Sequence, residues 1–172
     1  MKQHGFTLTE LMITIAVAAI VLAIGVPSFQ QVVRNNQATS QMNDLIGSLS
    51  LARSEAVKRG RRVVMCKSND GATCSGNWHD GWIVFVDDAN ENATPDAGED
   101  ILRVHGPLGG ASDNTLTGNA LVNTFISYTP DGFPRNLSGS LFSSDGEFTF
   151  GLSSGSGNHV VAVSPTGRTT VK

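Results

Sequence analysis

The chain has 172 residues, 40 % of them hydrophobic, and a formal net charge of −3. That length suits one globular domain with an extension, and a balance so near neutrality excludes a chain drawn wholesale onto nucleic acid or anionic lipid. Local charge is less even: six of the fifteen acids fall in Asp87–Asp100, which has no Lys or Arg, and five of the twelve bases fall in Lys58–Lys67.

A short polar leader, Met1 to Gly5, carries Lys2 and His4. An apolar run from Leu11 to Val26 follows and ends at Pro27. As a helix, Phe6 to Phe29 is about 36 Å long, enough to cross a hydrocarbon core about 30 Å thick. Glu10 stands at the mouth of this run. A charge at the bilayer centre costs roughly 2.5–3.5 kcal/mol, so Glu10 must lie near the boundary, be protonated or find a partner. A cleaved secretory signal or an ordinary single-span anchor accounts for the apolar run. Neither accounts for Glu10.

No proline occurs from Ser28 to Arg59, and apolar residues return there at helical spacing. Ala38, Met42, Leu45, Leu49, Ala52 and Ala56 form a stripe that Ile46 widens. Asn35, Gln37, Ser40, Asp44, Ser48 and Glu55 make the wet face. Gly60 is the expected stop, with Lys58, Arg59 and Arg61 suited to the negative end of the helix dipole. Gly47 costs about 1 kcal/mol against Ala inside a helix, which is understandable if a strand approaches closely there.

After Gly60 the period changes to two. Strands are expected at Arg62–Lys67, Trp82–Val86, Ile101–Val104, Ala120–Tyr128, Glu147–Leu152, His159–Ser164 and Arg168–Val171. Turn signals such as Asn69-Asp70-Gly71, Pro130-Asp131-Gly132 and Pro165-Thr166-Gly167 separate them. Eleven of the nineteen glycines lie from Gly106 onward, and Gly106–Gly118 reads as a long surface loop. The stripe Ala38–Ala56 has to be covered, and the strands are what remain to cover it. The fold class is therefore α+β, a long N-terminal helix packed on antiparallel sheet.

Cys66 and Cys74 both follow the apolar run. Outside the cytoplasm a disulfide is their expected state, worth about 2–3 kcal/mol for so short a loop. The alternative is half a zinc site completed by His79 or His105. In the acidic stretch, Asp88, Asn90, Asn92 and Asp96 alternate like the start of a calcium loop. However, Ala93 stands where the sharp turn needs Gly, and the competing reading is a solvated turn between strands. No other cofactor is implied. His79, His105 and His159 are scattered, and no nucleophile elbow or His-Glu-x-x-His pair occurs, so no enzymatic activity is expected. Ser143-Ser144-Asp145 reads as a turn, and Trp78 and Trp82 as packed indoles flanking a hairpin at His79-Asp80-Gly81.

The stretch Gly5-Phe6-Thr7-Leu8-Thr9-Glu10, followed by the apolar run and Pro27, resembles the leader of type IV pilins and type II secretion pseudopilins. Thr9 is more polar than that family's usual residue. The resemblance implies cleavage after Gly5 by a prepilin peptidase, N-methylation of Phe6, a helix kink at Pro27, and subunit registry through Glu10. Ala52-Arg53-Ser54-Glu55-Ala56, Trp82-Ile83-Val84-Phe85-Val86-Asp87-Asp88 and Gly167-Arg168 narrow the resemblance to the GspH/FimT/FimU branch of minor subunits. This implies two antiparallel sheets beside the helix. It also divides the chain into a leader (1–5), a transmembrane and assembly helix (6–29), an amphipathic helix (30–60) and a β-rich domain (61–172).

What the resemblance implies for function is a minor pilin at the tip or priming complex of a pilus, serving adhesion, twitching motility or DNA uptake. The alternative is a GspH-like pseudopilin of type II secretion. Partners would be other major and minor pilins through the N-terminal helix, the prepilin peptidase and the inner-membrane assembly platform. The location would be the bacterial inner membrane, with a periplasmic domain, and then the filament. FimT-like members bind DNA through a C-terminal Gly-Arg-x-Arg motif; here Gly167-Arg168 is kept, but Thr170 replaces the second Arg. Arg61, Arg62, Arg168 and Lys172 are the residues a DNA contact would use.

Overall fold

The computed structural model describes residues 7–109, 115–151 and 158–172. Gly5, Phe6 and Leu152 lie outside the described residues. The first element, α1, is a helix over Leu8–Arg59 with Pro27 inside it. The chain divides into two compact units, residues 1–36 and residues 37–172.

In the first unit every described side chain is exposed, the large apolar ones from Leu8 to Val33 included. In the second, Ala38, Met42, Leu45, Leu49, Ala52 and Ala56 are all buried. The four-then-three spacing thus put one stripe against the core. Gly60 ends the helix at φ +63 and donates its N–H to the Ala56 carbonyl at 3.0 Å. Ser48 departs from the expected wet face. It is fully buried, because its hydroxyl accepts the indole N–H of Trp82 at 2.9 Å. Over Gly47 lies the Arg103 guanidinium, 3.5 Å from where a Cβ would sit, rather than strand backbone.

Among the described residues nine strands follow: β1 (Arg62–Lys67), β2 (Trp82–Asp87), β3 (Ile101–His105), β4 (Thr115–Gly118), β5 (Phe125–Tyr128), β6 (Pro134–Arg135), β7 (Gly146–Gly151), β8 (Asn158–Val163) and β9 (Thr169–Val171). They form two antiparallel sheets, ordered β3-β2-β1-β5-β6 and β4-β7-β8-β9. The main core joins the helix stripe to Val63, Met65, Trp82 and Val84 of the first sheet and Phe148, Phe150, Val161 and Val163 of the second.

β1 and β2 are continuous apolar runs because both of their faces are covered. Val64, Cys66, Ile83 and Phe85, on the other face, form a second cluster with Ala93, against which Cys74 and Phe125 pack. Among the described residues, the loops that carry Cys74 and Ala93 supply most of that cover.

Three expectations are corrected. The strand begins at Phe125 rather than Ala120, since Asn119 accepts the Leu121 N–H on its side chain and the Val122 N–H on its carbonyl, forming a turn. The expected loop to Gly118 ends in β4, where Leu116 is 2 % exposed and pairs with Phe150. Trp78–Asp80 is a single 3₁₀ turn rather than a hairpin tip. Both indoles are nonetheless packed: Trp78 edge-on to Phe148 at 5.0 Å, Trp82 stacked on His105 at 3.9 Å.

Candidate functional site

Three regions carry the residues singled out by the sequence. The first is the start of α1. Glu10 Oε2 accepts the Thr7 backbone N–H at 2.8 Å and the Thr7 hydroxyl at 2.8 Å, while the Glu10 N–H donates to Thr7 Oγ1 at 3.3 Å. Thr7 and Glu10 thus form a capping box, satisfying N–H groups that a helix start leaves without partners. The carboxylate has a local partner before any second subunit is considered. Behind it runs a helical stretch long and apolar enough to cross a membrane, with none of its surface buried.

The second region is built by the disulfide and the acidic loop. Cys66 on β1 and Cys74 are joined, with Cα atoms 5.6 Å apart, which removes the zinc alternative. Asp70 orders the intervening turn. It accepts the backbone N–H groups of Ala72 and Thr73 at 2.8 Å and the Thr73 hydroxyl at 2.6 Å, and these bonds hold its carboxyl well below the usual range.

Across from the disulfide, Asp87 is fully buried and its Oδ2 accepts the Ala93 N–H at 2.9 Å. Burial, and next in importance as a raising influence the nearby Glu99, push this carboxyl above its ordinary value. Arg62, opposite it in the β1–β2 register, reaches Glu91 at 3.2 Å. Glu91 and Ala93 both adopt left-handed backbone, at φ 54 and 57.

In the acidic loop, Asp96 Oδ2 accepts the side-chain amides of Asn90 at 2.8 Å and Asn92 at 3.1 Å. Asp88 is exposed and outside this group. Glu99 accepts the N–H groups of Asp88, Ala89 and Asp96. Among the described residues no group of three or more His, Cys, Asp or Glu side chains is placed to hold a metal.

The third region is the end of α1 with the β8–β9 turn. Arg59 is tied to Glu55 at 2.6 Å and Asp100 at 2.8 Å, and Lys58 to Glu55 at 3.3 Å. The four cations expected to meet DNA differ in exposure and pairing. Arg62 is buried, and Lys172 reaches Glu147 at 2.7 Å and Asp145 at 3.3 Å. Only Arg61 and Arg168 of the four are exposed without a side-chain partner among the described residues.

Sequence reasoning passed over Arg53. Its Nη1 donates to the Gly167 carbonyl at 2.9 Å and its Nη2 to the Thr166 carbonyl at 3.1 Å. Beside it opens a groove of about 620 Å³, floored by Ile46, Leu49 and Val57 and lined by Arg53, Lys58 and Arg168, with no acid in its walls among the described residues. Asp44 was also passed over as an individual residue. It lies 3.6 Å from Arg103 and 3.7 Å from His105, the ring that stacks on Trp82. Arginine next to Ser-Glu-Ala at a helix end, with Gly-Arg near the C-terminus, was the available signal; nothing local said that the two meet.

Residues 41–167 match the family model described as type II transport protein GspH, and residues 1–26 match the prokaryotic N-terminal methylation motif. A fimbrial protein of Pseudomonas aeruginosa is 36 % identical over 62 residues, 36 % of this chain and 40 % of that protein. The prepilin peptidase-dependent protein D of Escherichia coli K12 is 42 % identical over 45 residues, 26 % of this chain and 31 % of that protein. The match thus spans less than half the length of either relative. Crystal structures of the type IV minor pilin FimU of Pseudomonas aeruginosa share the fold, with TM-scores of 0.59 and 0.54 at 22 % and 20 % identity. Each comparison covers 80 % of this chain, and 90 % and 91 % of the FimU chains.

Proposed function

The chain belongs to the GspH family, and on that footing we propose that it is a minor pilin, a structural rather than catalytic subunit of a type IV pilus. In this reading it is held in the bacterial inner membrane by α1, with its β-rich unit in the periplasm, until it enters a filament. Prepilin peptidase cuts after Gly5 and Phe6 is methylated. The subunit then joins other major and minor pilins through the apolar helix at the tip or priming complex, above an inner-membrane assembly platform.

The observation that carries this is the wholly exposed apolar run of α1 directly behind a methylation motif. An apolar surface of that extent needs lipid or other helices. Pro27 inside it is compatible with a kink and with extraction from the bilayer. The likeness to FimU in fold supports the pilus over a secretion pseudopilus. The description of the family model, a type II transport protein, favours the second reading, a pseudopilin of type II secretion. Deleting the gene distinguishes them: loss of surface pili and twitching supports the first, loss of exoprotein export the second.

Glu10 supplies a sharper test, because its capping role and its charge are separable. Glutamine closes a capping box as glutamate does, but cannot neutralise a neighbouring amine. Glu10→Gln should therefore be processed normally and fail to enter filaments, as Glu10→Ala should. Normal incorporation of Glu10→Gln, measured by immunoblot of sheared pili, would reduce Glu10 to a cap. A DNA-binding pilus subunit remains a narrower reading, resting on the exposed Arg61 and Arg168. A gel shift at low salt decides it, since phosphate contacts are strongest there.

A further inference from the structure

One wall of the groove beside Arg53 is formed by Gly167, Arg168 and Thr169, the last of which begins β9. In its ladder with β8, Lys172 and Val160 exchange both backbone bonds, at 2.8 and 3.4 Å, and Ser164 donates to the Arg168 carbonyl at 2.9 Å. These pairs fix the alternation. Thr170 faces Ala162, while Thr169 and Val171 turn their N–H and C=O groups away from the sheet. β9 ends its sheet, and among the described residues no strand meets its outer edge. An edge with free donors and acceptors is a template for another chain unless something blunts it. Lys172, the charge suited to that task, is folded across to Asp145 and Glu147.

The groove alongside adds side-chain preferences to this backbone template. Ile46, Leu49 and Val57 offer an apolar floor, with Val57 54 % exposed. Arg168 stands on the opposite wall with no side-chain partner among the described residues, and Lys58 is on the rim. We infer that β9 and this groove receive an extended segment of a partner subunit, a strand with apolar side chains toward α1 and acidic ones toward Arg168 and Lys58. Backbone bonds to Thr169 and Val171 give the affinity, and Arg168, which has no side-chain partner among the described residues, selects the acidic sequence with Lys58 on the rim. Nucleic acid fits this surface less well. Arg53 already donates to two carbonyls, Lys58 is paired with Glu55, and an apolar floor offers nothing to phosphate.

The contact rests on the assembly reading and adds to whatever the apolar helix makes in a filament. Because peptide binding is read on the isolated chain, its failure and a failure to enter filaments are separate results. The experiment takes the full chain in detergent micelles and a short, blocked, dye-labelled peptide of alternating valine and glutamate, followed by fluorescence anisotropy. Saturable binding is expected, weakened about fivefold by Arg168→Glu and lost when the peptide amides are N-methylated. Thr169→Pro, which removes an N–H pointing out of the sheet, should give the same loss. Arg168→Glu changes an exposed, unpaired side chain and so tests the site even if the proline variant folds poorly.

No saturable binding, or equal binding of a valine–lysine peptide or the N-methylated peptide, overturns the inference. Tighter binding of a single-stranded oligonucleotide with the same dependence on Arg168 overturns it in favour of nucleic acid. Self-association of the chain that Arg168→Glu abolishes would make the occupant a second copy and overturn the partner assignment.

Discussion

Arg53 and Gly167, separated by 114 positions, meet through a 2.9 Å hydrogen bond from guanidinium to carbonyl. With the second bond to Thr166, the arginine fastens the end of α1 to the β8–β9 turn. Gly167 is required for this approach. Its φ is +78, and a Cβ there would sit 2.7 Å from the Gly132 carbonyl oxygen and 3.2 Å from Arg53 Cζ. Two short motifs at opposite ends of the domain are thus one device.

Gly167→Ala should therefore destabilise the domain by about 2 kcal/mol through backbone strain and the clash. Arg53→Lys, which cannot span both carbonyls with a planar fork, should cost about 1–2 kcal/mol. Combining the two should cost less than the sum, because either change already opens the clasp. Thermal unfolding followed by circular dichroism measures all three.

Ser48→Ala removes the acceptor of the buried Trp82 N–H and should cost about 1–3 kcal/mol. A drop in melting temperature of about 3 °C per kcal/mol is the expected readout. An unchanged midpoint would mean that the indole finds another acceptor.

Much of this fold was legible in the chain. The buried stripe of α1, the stop at Gly60 and strands β1, β2 and β3 follow from period and turn chemistry alone, within a residue at each end. What escaped was decided at a distance. Ser48 reads as a wet-face residue until Trp82 is placed above it. β4 hides in a Gly-rich stretch because Thr115–Gly118 offers a single apolar residue, Leu116, whose partner Phe150 is far along the chain. Among the sites, the disulfide was readable, since both cysteines follow the apolar run and only one pairing is available to them. The acidic loop was readable as a turn; that Asp96 gathers the amides of Asn90 and Asn92 was not. Arg53 reads in sequence only as part of a motif, because its role lies in a tertiary contact.

Replacing Cys66 and Cys74 with serine should lower stability by about 2–3 kcal/mol. The loss should show first around Ala93, which Cys74 Sγ approaches at 3.5 Å from the carbonyl and which shares the second cluster. Faster hydrogen exchange at the Ala93 amide than in β7 or β8 would confirm this. Uniform acceleration would show that the disulfide steadies the whole domain instead.

Acid should loosen the β5–β6 turn. The Thr129 hydroxyl and next Arg135 pull the Asp131 carboxyl from its ordinary 3.8 down to about 2. A depressed carboxylate stabilises the fold above pH 3.8, and this contribution fades as pH falls towards 2. Asp131→Asn should thus be less stable than the parent at pH 6 and level with it near pH 2. Thermal melts across that range test the convergence; a constant difference would contradict it.

The cover on the outer face of the first sheet bears on how the protein can be labelled. Loops rich in Asp and Asn are ordinarily where a tag or a dye is tolerated, and the stretch from Asp88 to Asp100 looks made for one. Yet Ala93 is 6 % exposed and lies on Val64, Ile83 and Phe85 as part of the interior. An epitope inserted between Asn90 and Thr94 would unroof two central strands, whereas one placed at the exposed Asn136–Ser138 bend would leave them covered. Imaging this subunit in living cells should start from the second position.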